Sequence, residues 1–231
     1  MNFIKKLLLF LFLIVIILAG IIVYLGYSSY SDAILETPIA EKLAILKEDE
    51  NYISLDEISS DFKNAVVAIE DHRFYRHSGF DIISLGRAIV TNVQNKELSE
   101  GGSTITQQVA KNLYFTQQKL FTRKVAELFM AFSLEKELSK TDILEIYVNI
   151  NFYGNRYYGI YEASQGYFKK DPKDLSLNES AMLAGIPNAP SVYAPNKNPA
   201  LANQRKVQVL KAMLKHEYII QEQYDKCVNN K

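Results

Sequence analysis

Three short stretches of the sequence carry side chains suited to acid–base chemistry or to anion binding. In the first, Glu70 follows the apolar run AVVAI and opens the stretch EDHRFYRHSGFD. A carboxylate at the end of an apolar helix is partly desolvated, and desolvation raises its pKa toward the range of a general base. The adjacent Asp71 adds like charge, while Arg73, Arg76 and His77 favour an ionised Asp71. The alternative interpretation is a solvated helix end with local ion pairs.

The second stretch, GGSTITQQVAKN, joins a glycine pair to the start of a helix. Gly101 and Gly102 break the chain, and Ser103 or Thr104 is placed to cap the helix. A loop that feeds a helix N-terminus presents unpaired backbone N–H groups and hydroxyls, which suits a phosphate or a sugar. If the helix faces a cleft, its polar side chains bind a ligand; otherwise they form an ordinary solvated face. These side chains are Thr104, Gln107, Gln108 and Lys111.

The third stretch, RKVAE, places Arg123 and Glu127 four residues apart. This is the spacing of a salt bridge on a helix surface, and such a pair needs no further function. Glu127 nevertheless has apolar neighbours on both sides. A second carboxylate on a helix that forms part of the core would complete an acid–base pair with Glu70.

Helices must position these residues, and caps and apolar spacing predict where the helices lie. The sequence SLDE has the spacing of a capping box, which predicts a helix that starts at Ser54 and ends near Glu70. Period-two alternation long enough for a sheet is absent, and NFYGNRYYG at 151–159 reads as a loop. The sequence therefore predicts a mainly α fold. Further helices are expected over 121–139, from Ser139, from Ser176, and over about 199–215.

The first 30 residues form a separate hydrophobic segment. Lys5 and Lys6 precede an almost wholly apolar run, Leu7 to Leu25, which at ~1.5 Å rise per residue spans roughly the ~30 Å hydrocarbon core of a bilayer. A cleaved signal peptide has a shorter apolar core and a small-residue cleavage site, so an uncleaved anchor is preferred. The lysines place the N-terminus in the cytoplasm and the remainder outside. The predicted domains are 1–30 (cytoplasmic tip and anchor), 31–53 (acidic connector), 54–215 (catalytic domain) and 216–231 (polar tail).

Composition excludes several classes of function. The 231 residues include 26 basic and 26 acidic side chains, so no basic excess indicates nucleic-acid binding. The single cysteine, Cys227, excludes an internal disulfide and makes a cysteine-rich zinc site untenable.

Five motifs in order carry a family resemblance: EDHRFYRHSGFD, GGSTITQQVAKN, RKVAE, ILEIYVN and AMLAGIPNAPSVYAP. Together they resemble the motifs of the peptidoglycan glycosyltransferases, over roughly residues 54–215. The resemblance implies a lysozyme-like, mainly helical domain with a small membrane-proximal jaw subdomain. Because the chain ends soon after the last motif, a monofunctional member without a transpeptidase domain is expected.

The resemblance also implies a reaction and a set of site residues. Lipid II would be polymerised into glycan strands, with β-1,4 bonds formed by inverting displacement of undecaprenyl pyrophosphate. Glu70 matches the catalytic base, and Glu127 matches the second catalytic glutamate. Lys111 and Arg123 match the partners expected for the pyrophosphate. The substrate-binding and site-orienting positions implied in full are Asp71, Phe74, His77, Gly102, Ser103, Thr104, Gln107, Gln108, Lys111, Asn112, Arg123 and Lys124.

The remaining expectations concern cofactor, partners and location. A divalent cation, Mg²⁺ or Mn²⁺, is common in the family, but no cluster of ligands in the sequence identifies its site. The implied partners are lipid II, the growing lipid-linked glycan, the membrane bilayer, and other cell-wall synthesis and division proteins. The expected location is the bacterial cell membrane, with a single span and an extracytoplasmic catalytic domain.

Two alternative functions remain open. They are a lysozyme-like hydrolase, which needs no cations at a pyrophosphate, and an inactive membrane-anchored scaffold.

Overall fold

A computed structural model describes residues 2–95, 101–115 and 121–229 of the protein. Within these ranges the chain is helical, and the only β pairing is an isolated bridge between Phe152 and Tyr158. The prediction of a mainly α fold is confirmed. The α-helices are α1 (Asn2–Glu36), α2 (Ile39–Lys47), α3 (Ser60–Glu70), α4 (Ile82–Asn95), α5 (Ile105–Tyr114), α6 (Phe121–Glu137), α7 (Lys140–Ile150), α8 (Gly159–Phe168), α9 (Leu177–Gly185), α10 (Pro190–Tyr193), α11 (Pro199–Lys215) and α12 (Gln221–Asn229).

Helix α1 is long and apolar enough over Phe3–Glu36 to cross a membrane. It passes the predicted boundary at residue 30 without a break and ends before Pro38. Its C-terminal part packs on α6, where the Tyr30 hydroxyl lies 2.8 Å from Ser133 Oγ. A Cβ added at Gly26 would lie 2.5 Å from the Val125 Cβ, so only glycine permits this close approach of the two helices.

The core of the domain lies where α3 packs against α9 and α11, and where α5 packs against α6 and α7. Helix α3 contributes one apolar face, on which Phe62 and Ala65 are fully buried. Burial of a side chain of the size of Phe62 stabilises the fold by roughly 1.5–3 kcal/mol. This packing leaves the last residue of α3, Glu70, at the edge of the core.

Three of the predicted helix starts are confirmed as capping boxes, and one is wrong. Ser54 does not cap a long helix: it precedes a short 3-10 turn, Leu55–Glu57, and α3 begins only at Ser60. The reason is tertiary, because the Ser59 N–H donates to the carbonyl of Pro172 and breaks the helical ladder between the two elements. The confirmed boxes pair Thr104 with Gln107, Ser139 with Asp142, and Ser176 with Glu179.

The predicted polar tail is mostly ordered and returns to the domain. Within it, α12 carries Cys227, whose side chain is buried against the core. Burial raises the pKa of the Cys227 thiol, so the thiol is held in its neutral form. This agrees with a thiol that has a packing role.

Candidate active site

A cavity of about 400 Å³ opens beside the end of α3. Its wall combines helices that are far apart in sequence, so the chemistry of the cavity depends on the fold as a whole. The residues that line it are Ala68, Ile69, Glu70, His72, Arg87, Gly101, Ser103, Gln107, Gln108, Lys111, Lys124, Glu127, Pro187, Asn188, Arg205, Ala212, Lys215 and His216.

Glu70 presents its carboxyl group to this cavity from the last position of α3. Its Oε2 accepts a hydrogen bond of 2.7 Å from Gln108 Nε2. Burial is the main cause that raises the pKa of Glu70 above its ordinary value; the Gln108 hydrogen bond and the charge of Arg205 oppose the rise, and Asp71 adds to it. A carboxyl group with a raised pKa that faces a cavity has the properties of a general base.

The second glutamate, Glu127, is almost completely buried on α6 and is neutralised by two cations. Arg123 Nε lies 2.9 Å from Glu127 Oε1, and Lys124 Nζ lies 3.0 Å from Oε2. Lys124 also donates to Ser103 Oγ at 2.7 Å, which links α6 to the glycine loop. Glu127 therefore forms the predicted salt bridge with Arg123 and also lines the cavity, where it holds Arg123 and Lys124 in place.

Positive charge dominates the cavity wall. Burial lowers the pKa of Lys111, and the charge of Glu127 is the largest opposing cause. A lysine in this setting carries a poorly hydrated charge that an anion would stabilise. Among the described residues, five basic side chains and two carboxylates, Glu70 and Glu127, line the cavity; the basic ones are Arg87, Lys111, Lys124, Arg205 and Lys215.

Asp71 braces the site from behind the wall. His77 Nε2 lies 2.9 Å from Asp71 Oδ2, and the Ile105 N–H donates to the same oxygen at 3.1 Å. The Thr104 hydroxyl donates to the carbonyl of Gly79 at 2.7 Å. Gly79 has a φ of +83°, a conformation that glycine adopts without strain. These bonds fix the loop after α3 to the start of α5, and so fix Glu70 relative to Gln108 and Lys111.

Two imidazoles that line the cavity, those of His72 and His216, stack on each other. The rings of His72 and His216 lie 4.3 Å apart, and Arg87 donates to His72 at 2.9 Å. Burial lowers the pKa of His72 to about 4, and the positive charge of Arg87 contributes. The stack therefore consists of neutral rings at neutral pH.

Sequence reasoning missed Arg205, although a signal for it exists. Arg205 lies on α11 between Ala202 and Val209, both of which are buried, so a cation occupies the apolar stripe of that helix. Its guanidinium lies 5.7 Å from the centre of the Tyr193 ring and lines the same cavity as Glu70. A charged residue on the buried face of an amphipathic helix is the pattern that would have identified it. His72, Arg87, Lys215 and His216 were missed as well.

The structure divides the predicted site residues into two groups. Phe74, for example, is fully buried and packs beneath Lys140, whose Nζ lies 4.4 Å from the ring centre. Asn112 donates to Asn151 at 2.8 Å. The residues that line the cavity are Glu70, Ser103, Gln107, Gln108, Lys111, Lys124 and Glu127, whereas Asp71, Phe74, His77, Gly102, Thr104, Asn112 and Arg123 do not line it. Direct substrate binding by the second group stays a prediction, and their contacts here are supporting ones.

The donor set of the cavity does not fit a divalent cation held by the protein alone. Mg²⁺ takes about six oxygen ligands, but both oxygens of Glu127 are already paired with cations. Elsewhere in the described ranges, Asp71, His77 and Asp81 bring ligand atoms within 4.8 Å of one another. Those atoms are occupied by protein partners, since Arg73 lies 2.8 Å from Asp81 and the Ile105 N–H bonds Asp71. The sequence-based expectation of Mg²⁺ or Mn²⁺ stays a prediction.

Comparisons with known proteins agree on one family. The family model described as Transglycosylase matches residues 37–214. Penicillin-binding protein 1A of Neisseria lactamica is 48% identical over 167 residues, which cover 72% of this chain and 21% of that protein. A Cupriavidus necator protein named "Putative transglycosylase" is 43% identical over 190 residues, which cover 82% of each chain.

The chain is also similar to a solved structure of penicillin-binding protein 1A from Haemophilus influenzae. The TM-score is 0.47 at 23% sequence identity, and the match covers 78% of this chain and 17% of that chain. The chain thus spans about a fifth of the length of the penicillin-binding protein 1A relatives that it matches.

Proposed function

Because the chain belongs to the transglycosylase family, we propose that it polymerises lipid II into the glycan strands of peptidoglycan. Lipid II is a disaccharide-pentapeptide joined to undecaprenyl pyrophosphate. The growing lipid-linked strand is the donor, and the N-acetylglucosamine of a new lipid II is the acceptor. The substrate therefore combines a sugar hydroxyl, which needs a base, with a pyrophosphate, which needs cations.

One observation carries this proposal: the partly buried Glu70 carboxyl opens into a cavity lined by five basic side chains. The raised pKa of Glu70 suits proton removal from a hydroxyl near neutral pH. The surplus of positive charge suits a ligand that carries a pyrophosphate. A hydrolase acting on finished glycan would have no use for that surplus.

In the proposed step, Glu70 accepts the proton of the acceptor 4-hydroxyl. The acceptor oxygen uses its electron pair to form a bond to C1 of the donor sugar. The bond between C1 and the pyrophosphate oxygen breaks, and undecaprenyl pyrophosphate leaves with that electron pair from the opposite face. The α-linked donor thus becomes a β-1,4-linked product by inversion, and the proton on Glu70 is released afterwards.

Lys111 and Lys124 are the proposed partners of the leaving group. Negative charge grows on the pyrophosphate as the bond to C1 breaks, and cations that are already in place stabilise this charge without reorganising. Glu127 supports this role because its ion pair and the Ser103 contact hold Lys124 beside the cavity.

We further propose that α1 anchors the protein in the bacterial cell membrane as a single span, with a cytoplasmic N-terminus. The length and apolar character of α1 support the span, and Lys5 and Lys6 support the orientation. The polyprenyl chain keeps the substrate in the same bilayer. Enzyme and substrate would then meet at a high effective concentration.

Purified full-length protein, incubated with lipid II in detergent, tests the proposal. Polymer from the wild type and a loss of at least ~10²-fold in Glu70→Gln are expected, with Glu57→Gln, an exposed carboxylate before α3, as the matched control. Substantial turnover by Glu70→Gln would remove Glu70 from the role of base. Cleavage of preformed glycan without polymer would instead support a hydrolase, and binding without turnover would support a scaffold.

A further inference from the structure

Three buried polar atoms make no hydrogen bond of good geometry within the described part of the chain, although the Tyr147 hydroxyl is close enough to the Asn151 side chain to interact with it. They are Glu70 Oε1 and the hydroxyl oxygens of Tyr147 and Tyr153. Both tyrosines are 0% exposed. Buried polar groups in folded proteins are almost always satisfied, either directly or through a buried water. Such groups from three separate segments therefore indicate a shared network.

The helix geometry brings these groups to one side of Glu70. On α5, Gln108 and Asn112 lie one turn apart and so share a face; they bond to Glu70 Oε2 at 2.7 Å and to Asn151 Oδ1 at 2.8 Å. On α7 and its C-cap, Tyr147 and Asn151 are also one turn apart. Because α5 packs on α7, the polar face of one helix meets the polar face of the other. Tyr147 thus lies on the side of α7 that faces Glu70 and its partner.

Electrostatics support this neighbourhood. After burial, the charge of Glu70 is the largest cause that raises the pKa of Tyr147 and of Tyr153. Both hydroxyls therefore stay protonated and remain hydrogen-bond donors at neutral pH. Tyr114 differs: its hydroxyl is also buried without a hydrogen-bond partner among the described residues, but burial and Glu137 account for the rise of its pKa to about 12.

We propose that Tyr147 and Tyr153 are positioning residues for Glu70, and that their hydroxyls donate toward its Oε1 through a buried water. Gln108 holds the other oxygen, so the carboxyl group is fixed at both ends with its free lone pairs directed at the cavity. This inference rests on the proposed role of Glu70 as the base. Two further groups act on the same carboxyl, Lys111 from α5 and Arg205 from α11, together with Asp71 at the end of α3.

The pH profile of kcat/KM for lipid II polymerisation tests the inference with the full-length protein. A donor to a carboxylate stabilises its charged form, so Tyr147→Phe and Tyr153→Phe should raise the pKa of Glu70. We expect the acid limb to move upward by about half to one pH unit, with turnover about 3–10-fold lower on the acid side and restored at alkaline pH. Tyr114→Phe, which removes a comparable hydroxyl away from Glu70, should keep the wild-type limb.

Each other outcome has a definite meaning. A loss that is uniform across pH, or an unchanged profile in both variants, would overturn the inference, because a packing role does not move an acid limb. Failure of both variants to fold, seen in thermal unfolding, would assign the hydroxyls to core stability and overturn it as well. If the wild type makes no polymer, or if Glu70→Gln still makes it, the proposed function itself fails; a normal wild type with unmoved variants counts against the tyrosines alone.

Discussion

Gln108 Nε2 donates a hydrogen bond of 2.7 Å to Oε2 of Glu70, and this bond ties the side of α5 to the end of α3. The family resemblance of the sequence implies a substrate-binding role for Gln108. The structure gives it a second role, because an N–H donor stabilises the charged form of the carboxylate and opposes the effect of burial. The Gln108 hydrogen bond therefore favours the ionised form of Glu70, which is the form that acts as a base.

Removal of that bond should weaken the base. In Gln108→Ala we expect kcat/KM to fall about 10-fold near neutral pH and the acid limb of the pH profile to move upward, since a hydrogen bond to a charged group contributes ~1.5–3 kcal/mol. Gln165→Ala, which removes a solvent-exposed amide on α8, is the control. A Gln108→Ala profile with the wild-type acid limb would contradict this role.

Glu70→Gln should make the protein more stable while it abolishes polymerisation. Burial raises the pKa of Glu70 in the folded state. The stability that this group contributes is therefore fully present below the unfolded-state pKa and is lost as the pH rises through the folded-state pKa. Glutamine is neutral throughout, so at about pH 8 the variant should melt higher, by roughly 2–4 °C for each kcal/mol. Thermal unfolding at several pH values checks this, and the difference should vanish below about pH 4.

Glu127→Ala should behave in the opposite way. Glu127 is 1% exposed and compensates two cations. Because Arg123 and Lys124 are partly exposed and can be solvated when Glu127 is removed, we expect a cost below that of a fully buried pair, about 1–3 kcal/mol. Denaturant unfolding should show a loss of this order together with a loss of activity. Glu135→Ala removes a carboxylate from the same helix that pairs with one cation, Lys140, and accepts from the Thr106 hydroxyl; with one described cation instead of two, it should cost less. Equal stability of Glu127→Ala and the wild type would show that Arg123 and Lys124 do not depend on Glu127.

Arg205→Gln should lower turnover although the residue lies outside the five motifs. Its positive charge lowers the pKa of Glu70, and its side chain lines the same cavity. A reduction of about 10-fold or more in kcat/KM is expected, with an upward shift of the acid limb. Lys211→Gln removes an exposed charge from the same helix and should leave the kinetics unchanged. Wild-type kinetics in Arg205→Gln would exclude an electrostatic role for Arg205.

Substitutions at two glycines of α1, Gly26 and Gly20, can test the contact between α1 and α6. A side chain at Gly26 would meet Val125 and the carbonyl of Thr122, whereas nothing lies within 4 Å of a Cβ at Gly20. Gly26→Leu should therefore displace α1 from α6 at a cost of ~1–3 kcal/mol. It should lower polymerisation, because α6 carries Lys124 and Glu127. Gly20→Leu, with the same added volume, should be neutral in melting and in liposome assays; equal effects of the two would count against the packing role.

The sequence predicts a helix start correctly where the residues that form the cap are close together in the chain. The boxes at Thr104, Ser139 and Ser176 form because a cap and its partner are three residues apart and need no other element. Ser54 has the same spacing, yet its segment is held by distant contacts: Leu55 N–H and Tyr52 OH both donate to Glu145. Tertiary hydrogen bonds there outweigh the helical preference.

The candidate site shows the same division. Glu70 could be identified because it ends an apolar run inside a charged motif, and Gln108 and Lys111 because helical spacing places them on one face of α5. The cations on the other side of the cavity were not identified, since Arg205 reaches Glu70 only through the packing of α11 on α3. The stack of His72 on His216 likewise joins two histidines that no periodicity relates.

The uninterrupted length of α1 has a mechanical consequence. Its 35 residues rise about 52 Å, while a hydrocarbon core takes up only ~30 Å. The rest of the helix would extend above the bilayer as a rigid segment, which packs on α6 at Gly26. With α1 in a membrane, the packing of this rigid helix on α6 therefore keeps the cavity at a fixed distance from the lipid headgroups. Under the proposed function, the enzyme and its lipid-linked substrate would then meet within the plane of the membrane.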